Sequence, residues 1–125
     1  MAVTELNTNN LNDTIENNDI VIIDFWAPWC GPCQTFKPIF EAASEKHEGV
    51  TFAACNTQDE QEVATMFRIM SIPTVMVFRE QIPIFAQPGA LPAPALEELL
   101  QKVKDLDMDE VRKHVEEQKT ANAEA

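Results

Sequence analysis

Apolar positions along the chain follow two periods. Val21–Trp26, Val50–Cys55, Pro73–Phe78 and Ile82–Phe85 are strand-like, and the first three are nearly continuous rather than alternating. Such runs are expected of strands covered on both faces. Elsewhere the spacing is helical. Phe36, Ile39, Phe40 and Ala43 fall at i, i+3, i+4 and i+7, which predicts an amphipathic helix. A second helix is expected from near Asp59 to just before Ile69, with Val63, Met66 and Phe67 inward, and a third carries Leu96, Leu99, Leu100 and Val103. Asn9–Asn17 predicts a short helix with Leu11 and Ile15 inward.

With a short first strand, the order β-α-β-α-β-α-β-β-α predicts an α/β domain with a central mixed sheet flanked by helices on both faces. The last two strands should pair antiparallel across Arg79–Gln81, a link without the Asn-Gly or Gly favoured in the tightest hairpins. Past Lys104 the pattern changes. Asp107-Met108-Asp109-Glu110 has the spacing of an acidic N-cap with a glutamate three residues on, and Met108, Val111 and Val115 form a thin apolar stripe. The expected organisation is one domain over residues 1–105, a short helical extension over 106–118 and a disordered tail over 119–125.

At 125 residues, 45% of them apolar, the chain is of a size to build one genuine core. No stretch nears the ~18 consecutive apolar residues of a membrane-spanning helix. The opening MAVTELNTNN has neither a basic residue nor an apolar run, so it does not resemble a secretory signal. A cytoplasmic monomer is expected. The formal charge of −12 argues against nucleic acid and anionic membrane as partners. Most of it belongs to the domain: residues 1–100 hold 14 acids against four bases (−10), and residues 101–125 seven against five (−2).

Three cysteines cannot pair completely, and two stand three positions apart. Structural zinc needs four ligands, whereas Cys55, His47 and His114 are scattered singly. No metal and no bound cofactor are therefore expected, and redox chemistry is the better account. A Cys-x-x-Cys pair opening a helix suits thiol–disulfide exchange. Its spacing lets the sulfurs bond, and the helix N-terminus stabilises the first thiolate. Cys30 is then the exposed nucleophile and Cys33 the more buried resolving thiol. Pro32 suits a first helical turn, and Gly31 permits close approach of a substrate backbone. Asp24 lies inside an apolar strand, where burial disfavours its charged form and leaves it able to shuttle a proton.

The run Asp24-Phe25-Trp26-Ala27-Pro28-Trp29-Cys30-Gly31-Pro32-Cys33 resembles the thioredoxin active-site signature without a departure. Forty residues after Cys33 stands Pro73, in Ser71-Ile72-Pro73-Thr74, which resembles the family's Ile-Pro-Thr loop. Gly89, in Pro88-Gly89-Ala90, matches its third substrate-contacting loop. The resemblance covers about residues 1–104 and implies the thioredoxin fold and protein-disulfide reductase activity. It implies a redox-active Cys30–Cys33 disulfide, recycled by an NADPH-dependent thioredoxin reductase. Pro73 would follow a cis peptide bond, leaving the Ile72 backbone free to pair with an extended substrate. Trp29, Ile72, Gly89 and Ala90 would form an apolar contact rim around Cys30, and Asp24 would assist Cys33 as acid and base.

Three departures qualify the resemblance, one being Arg68 and Ser71 where the family often has glycines before Ile-Pro-Thr. Many members carry a lysine near the buried aspartate on the strand after the active-site helix, where this chain has Ala54. The segment past Asp107 is an extra that the family does not explain. Pro32 stands where oxidases and isomerases of the same fold commonly have histidine. The alternative from another class is an adaptor module that recruits partners through its acidic surface or C-terminal helix.

Overall fold

The computed structural model describes residues 3–124, the last four of these as helix backbone only. In chain order the elements are β1 (Val3–Glu5), α1 (Leu11–Glu16), β2 (Ile20–Trp26), α2 (Gly31–Lys46), β3 (Thr51–Asn56), α3 (Gln61–Met66), β4 (Thr74–Arg79), β5 (Ile82–Pro88), α4 (Ala93–Lys104) and α5 (Met108–Glu124). The strands form one sheet in the order β1-β3-β2-β4-β5. β3 lies parallel to β1 and β2, while β4 runs antiparallel to β2 and β5. This is the mixed sheet that the element order predicts.

The continuous apolar run of β2 is explained by its central place. Ile20 and Ile22 enter a core with Phe36, Phe40, Phe52, Leu96 and Leu100, beneath α2 and α4. Val21, Ile23 and Phe25 point the other way, into a second core with Leu6, Leu11, Cys55 and Val63. Strand side chains alternate between faces, so Asp24 shares the face of Ile20 and Ile22 and lies under α2.

Three details differ from expectation. Met66 is 59% exposed rather than inward; the buried stripe of α3 runs through Val63 toward half-buried Phe67, and Met66 falls off it. The β4–β5 hairpin closes on Glu80 and Gln81 alone, both at positive φ (51° and 70°), the geometry of a tight hairpin made without glycine. The C-terminal helix does not stop near residue 118 but continues to Glu124. Its last turns contain no glycine or proline to end it. Ala125, the end of the expected tail, lies outside the described residues.

The extension is rooted at the Arg79 end of β4. Arg79 Nη1 donates to the carbonyls of Val103 (2.6 Å), Lys104 (3.3 Å) and Leu106 (3.2 Å), closing the end of α4 with a cation where the helix dipole is negative. Asp107 caps α5 by accepting from the amides of Asp109 (3.0 Å) and Glu110 (3.3 Å). Met108 is buried, Val111 and Val115 are half-buried, and Arg112 donates to Glu80 of the hairpin. His47, at the end of α2, is half-buried: its Nε2 meets Glu97 Oε2 at 2.7 Å and its Nδ1 meets Lys104 Nζ at 2.8 Å. It joins α2 to α4.

Candidate active site

β2 delivers the chain to the start of α2, and Cys30 caps that helix: its Sγ accepts from the Cys33 amide at 3.2 Å. Gly31 and Pro32 follow on the exposed first turn, where a missing proline N–H leaves no gap in the ladder. One turn of helix brings the two Cα atoms to 5.3 Å, and Cys30 and Cys33 form a disulfide. Cys33 is 2% exposed and Cys30 only 5%. In this oxidised form Cys30 is therefore not the exposed thiol that the sequence predicts: both cysteines are buried, Cys33 slightly more than Cys30. Trp29 beside it is 73% exposed.

The other motifs gather at the same end of the sheet. Thr74 pairs with Phe25 near the end of β2, and Pro88 pairs with Thr74. Pro73 and Gly89 thus flank the end from which Trp26 leads to the cysteines. The Ile72–Pro73 bond is cis, and Gly89 has a φ of 105°. The Gly89 amide donates to the Pro73 carbonyl at 2.7 Å, tying the two loops together. Pro73 is buried, Ile72 is half-buried, and Gly89 and Ala90 are exposed. The loop before Pro73 also presents Met70, 93% exposed, which the hydrophobic pattern gave no reason to single out.

Asp24 is 3% exposed, with its Oδ1 lacking a hydrogen-bond partner among the described residues. It borders a cavity of about 170 Å³ together with Cys33, Lys37, Trp26 and Ala54. Burial pushes the Asp24 carboxyl up to about 7, and the charge of Lys37 pulls it partly back. A carboxyl in that range is poised to accept and return protons near neutrality. Lys37 is the residue that the reading of the sequence missed. Its place four positions after Cys33 puts it on the same helix face, the signal that could have found it.

Cys55 is fully buried on β3, and burial followed by the nearby Glu60 pushes its thiol up to about 11. Among the described residues there is no cluster of three or more metal-ligating side chains, and no helix is long and apolar enough to cross a membrane.

A family model described as Thioredoxin matches residues 2–102. The chain belongs to the thioredoxin family. With its cysteine pair, it is a thiol–disulfide oxidoreductase. It is 48% identical over 117 residues to the Streptomyces coelicolor protein named "Putative thioredoxin 2", covering 94% of this chain and 87% of that one. Thioredoxin of Porphyra purpurea is 36% identical over 104 residues, covering 82% and 97%. Among solved structures, a mutant thioredoxin from Halobacterium salinarum matches with a TM-score of 0.78 at 27% identity, covering 83% of this chain and 92% of that one. The Streptomyces match leaves eight of the 125 residues uncovered, fewer than the 17 of α5. That thioredoxin relative therefore shares part of the extension.

Proposed function

We propose that the chain works as a reductase of protein disulfides, with Cys30 as nucleophile, Cys33 as resolving thiol and Asp24 as the proton-transfer group. The observation that carries the reading is the cysteine pair at the N-terminus of α2, with Cys33 and Asp24 bordering one cavity. In the reduced protein the helix terminus favours the Cys30 thiolate. That thiolate attacks one substrate sulfur, the substrate S–S bond breaks, and the departing sulfur takes up a proton. A mixed disulfide now joins Cys30 to the substrate. Cys33 gives its proton to the Asp24 carboxylate and attacks the Cys30 sulfur. The bond to substrate breaks, the second substrate sulfur leaves as a thiol after taking a proton from solvent, and Asp24 returns its own proton to solvent. The substrate has gained two electrons and the protein holds the Cys30–Cys33 disulfide.

The electrons reside on the two sulfurs, so the cycle needs no bound cofactor. A flavin- and NADPH-dependent thioredoxin reductase returns the protein to its dithiol form. Trp29, Gly31, Pro32, Ile72, Gly89 and Ala90 form the rim that receives a substrate. Pro73, lacking an N–H, leaves the Ile72 backbone to pair with an extended chain. The chain acts as a cytoplasmic monomer, with residues 1–105 as the reductase domain and the segment beyond as an appendage. The test is NADPH consumption coupled through a thioredoxin reductase to a model disulfide protein. Rapid turnover is expected. A rate no higher than that of the Cys30→Ser variant would overturn the reading in favour of an adaptor.

A further inference from the structure

Strand register lines up four residues beneath α2. Glu5 pairs with Ala54, Ala54 with Asp24, and Asp24 with Val75. Above the first three, α2 presents Cys33, Lys37, Phe40 and Glu41 to the cavity, and Trp26 borders it. In this oxidised form the titratable groups facing Asp24 are Glu5 from β1 and Lys37 and Glu41 from α2, joined by Cys33 only on reduction; β3 contributes only the Ala54 methyl. Lys37 is the one cation in this set.

Three further observations fix what that cation can do. Lys37 forms no ion pair with a carboxylate among the described residues, so its charge is not spent on a closer partner. Its Nζ lies 5.6 Å from the centroid of the Trp26 ring, a face that attracts a cation and restrains a long flexible stem. It stands one turn after Cys33 on the same helix face, so one positive charge serves both the acid and the thiol that trade a proton.

We propose that Lys37 is the positioning cation of this redox site: held against Trp26, it faces Asp24 across the cavity and sets the pH at which Asp24 accepts the proton of Cys33. The proposal rests on the reading of Asp24 as the proton-transfer group. Burial opposes ionisation of Asp24, and Ala54 offers it neither charge nor hydrogen bond. Lys37 alone favours the carboxylate. With Lys37, a useful share of Asp24 is ionised near neutrality and ready to receive a proton. Without it, that share is reached only at higher pH.

The test follows the Asp24 carboxyl carbon by NMR against pH in the oxidised full-length protein, a measurement that needs no turnover. Lys37→Met keeps the stem and removes the charge; it should raise the Asp24 midpoint from about 7 by about one pH unit. Lys37→Arg should hold it within a few tenths of a unit. Ala54→Lys added to Lys37→Met should lower it again, because the new cation stands at the register partner of Asp24. Single-turnover resolution of a mixed disulfide should show its acidic limb displaced in step with the midpoint. An unmoved midpoint in Lys37→Met overturns the proposal, as does an equal displacement in Lys37→Arg, which would indicate packing rather than charge. A displaced midpoint with an unmoved rate profile overturns the proton-transfer reading of Asp24 instead, and leaves the charge pairing of Lys37 with Asp24 supported.

Discussion

Asp24 and Ala54 are register partners across the β2–β3 junction, so the buried acid among the described residues lies beside a methyl group. Its ionisation is opposed by burial and favoured only from the helix above. This has a consequence for stability. The unfolded carboxyl titrates near 3.8 and the folded one near 7. Between these values the folded state holds a proton that the unfolded state has lost, so stability falls as pH rises through this window. Asp24→Asn should therefore stabilise the fold, by on the order of 4 kcal/mol above pH 7 and little below pH 4. Thermal unfolding at pH 4 and pH 8 checks the sign. The same variant should slow mixed-disulfide resolution most near neutrality.

The cysteines should be separable. Cys33→Ser is expected to leave Cys30 joined to substrate, since the resolving thiol is gone. Cys30→Ser should abolish both turnover and trapping. Non-reducing electrophoresis with a model disulfide protein distinguishes them, and adducts through Cys33 would reverse the assignment.

Cys55 should be inert in the native state. It is fully buried and its thiol is raised to about 11, so very little thiolate exists at pH 8 and no reagent reaches it. With the Cys30–Cys33 pair oxidised, iodoacetamide should label no cysteine until denaturant is added. Mass spectrometry after timed exposure reads the result.

The hairpin at Glu80-Gln81 carries a removable cost. Gln81 is exposed at a φ of 70°, a conformation that disfavours a side chain bearing Cβ. Gln81→Gly should raise stability by about 1 kcal/mol without altering reductase activity. Urea denaturation measures it, and a destabilised variant would show that the Gln81 side chain does more than tolerate the turn.

Removing residues 107–125 should leave a folded, active domain. The buried part of α5 is Met108 with half-buried Val111 and Val115, and its Arg112–Glu80 pair is exposed, a class of contact worth little. The carbonyl of Leu106 that Arg79 holds is retained. A fall of a few degrees in Tm is expected, with near-normal reduction of a small model disulfide. Severe loss of either would show that the helix completes the core.

What the sequence made legible follows from what is locally encoded. The unbroken apolar run of β2 could only suit a central strand, and an acid inside it had to be buried. The four-residue motif that starts a helix fixes both ends of its own disulfide. Lys37 was legible only in part: its place four positions after Cys33 gives its helix face, but an exposed helical lysine has the same pattern whether it faces solvent or a cavity mouth. The face it shares with Asp24 is a tertiary fact. The hairpin of Glu80-Gln81 was hidden for the opposite reason: its residues are not those the turn prefers. Met66 was misplaced because a six-residue helix holds too few turns for periodicity to define its inner face.

β4 has work at each tip. It begins just after the cis-proline, next to the working disulfide, and ends in the guanidinium that clasps the root of the added helix. Anchorage and exchange therefore sit at opposite poles of a single strut. A body coupled at the root of α5 would not compete for the ground a substrate disulfide must occupy. The root of the added helix and the cysteine pair thus lie a full strand length apart.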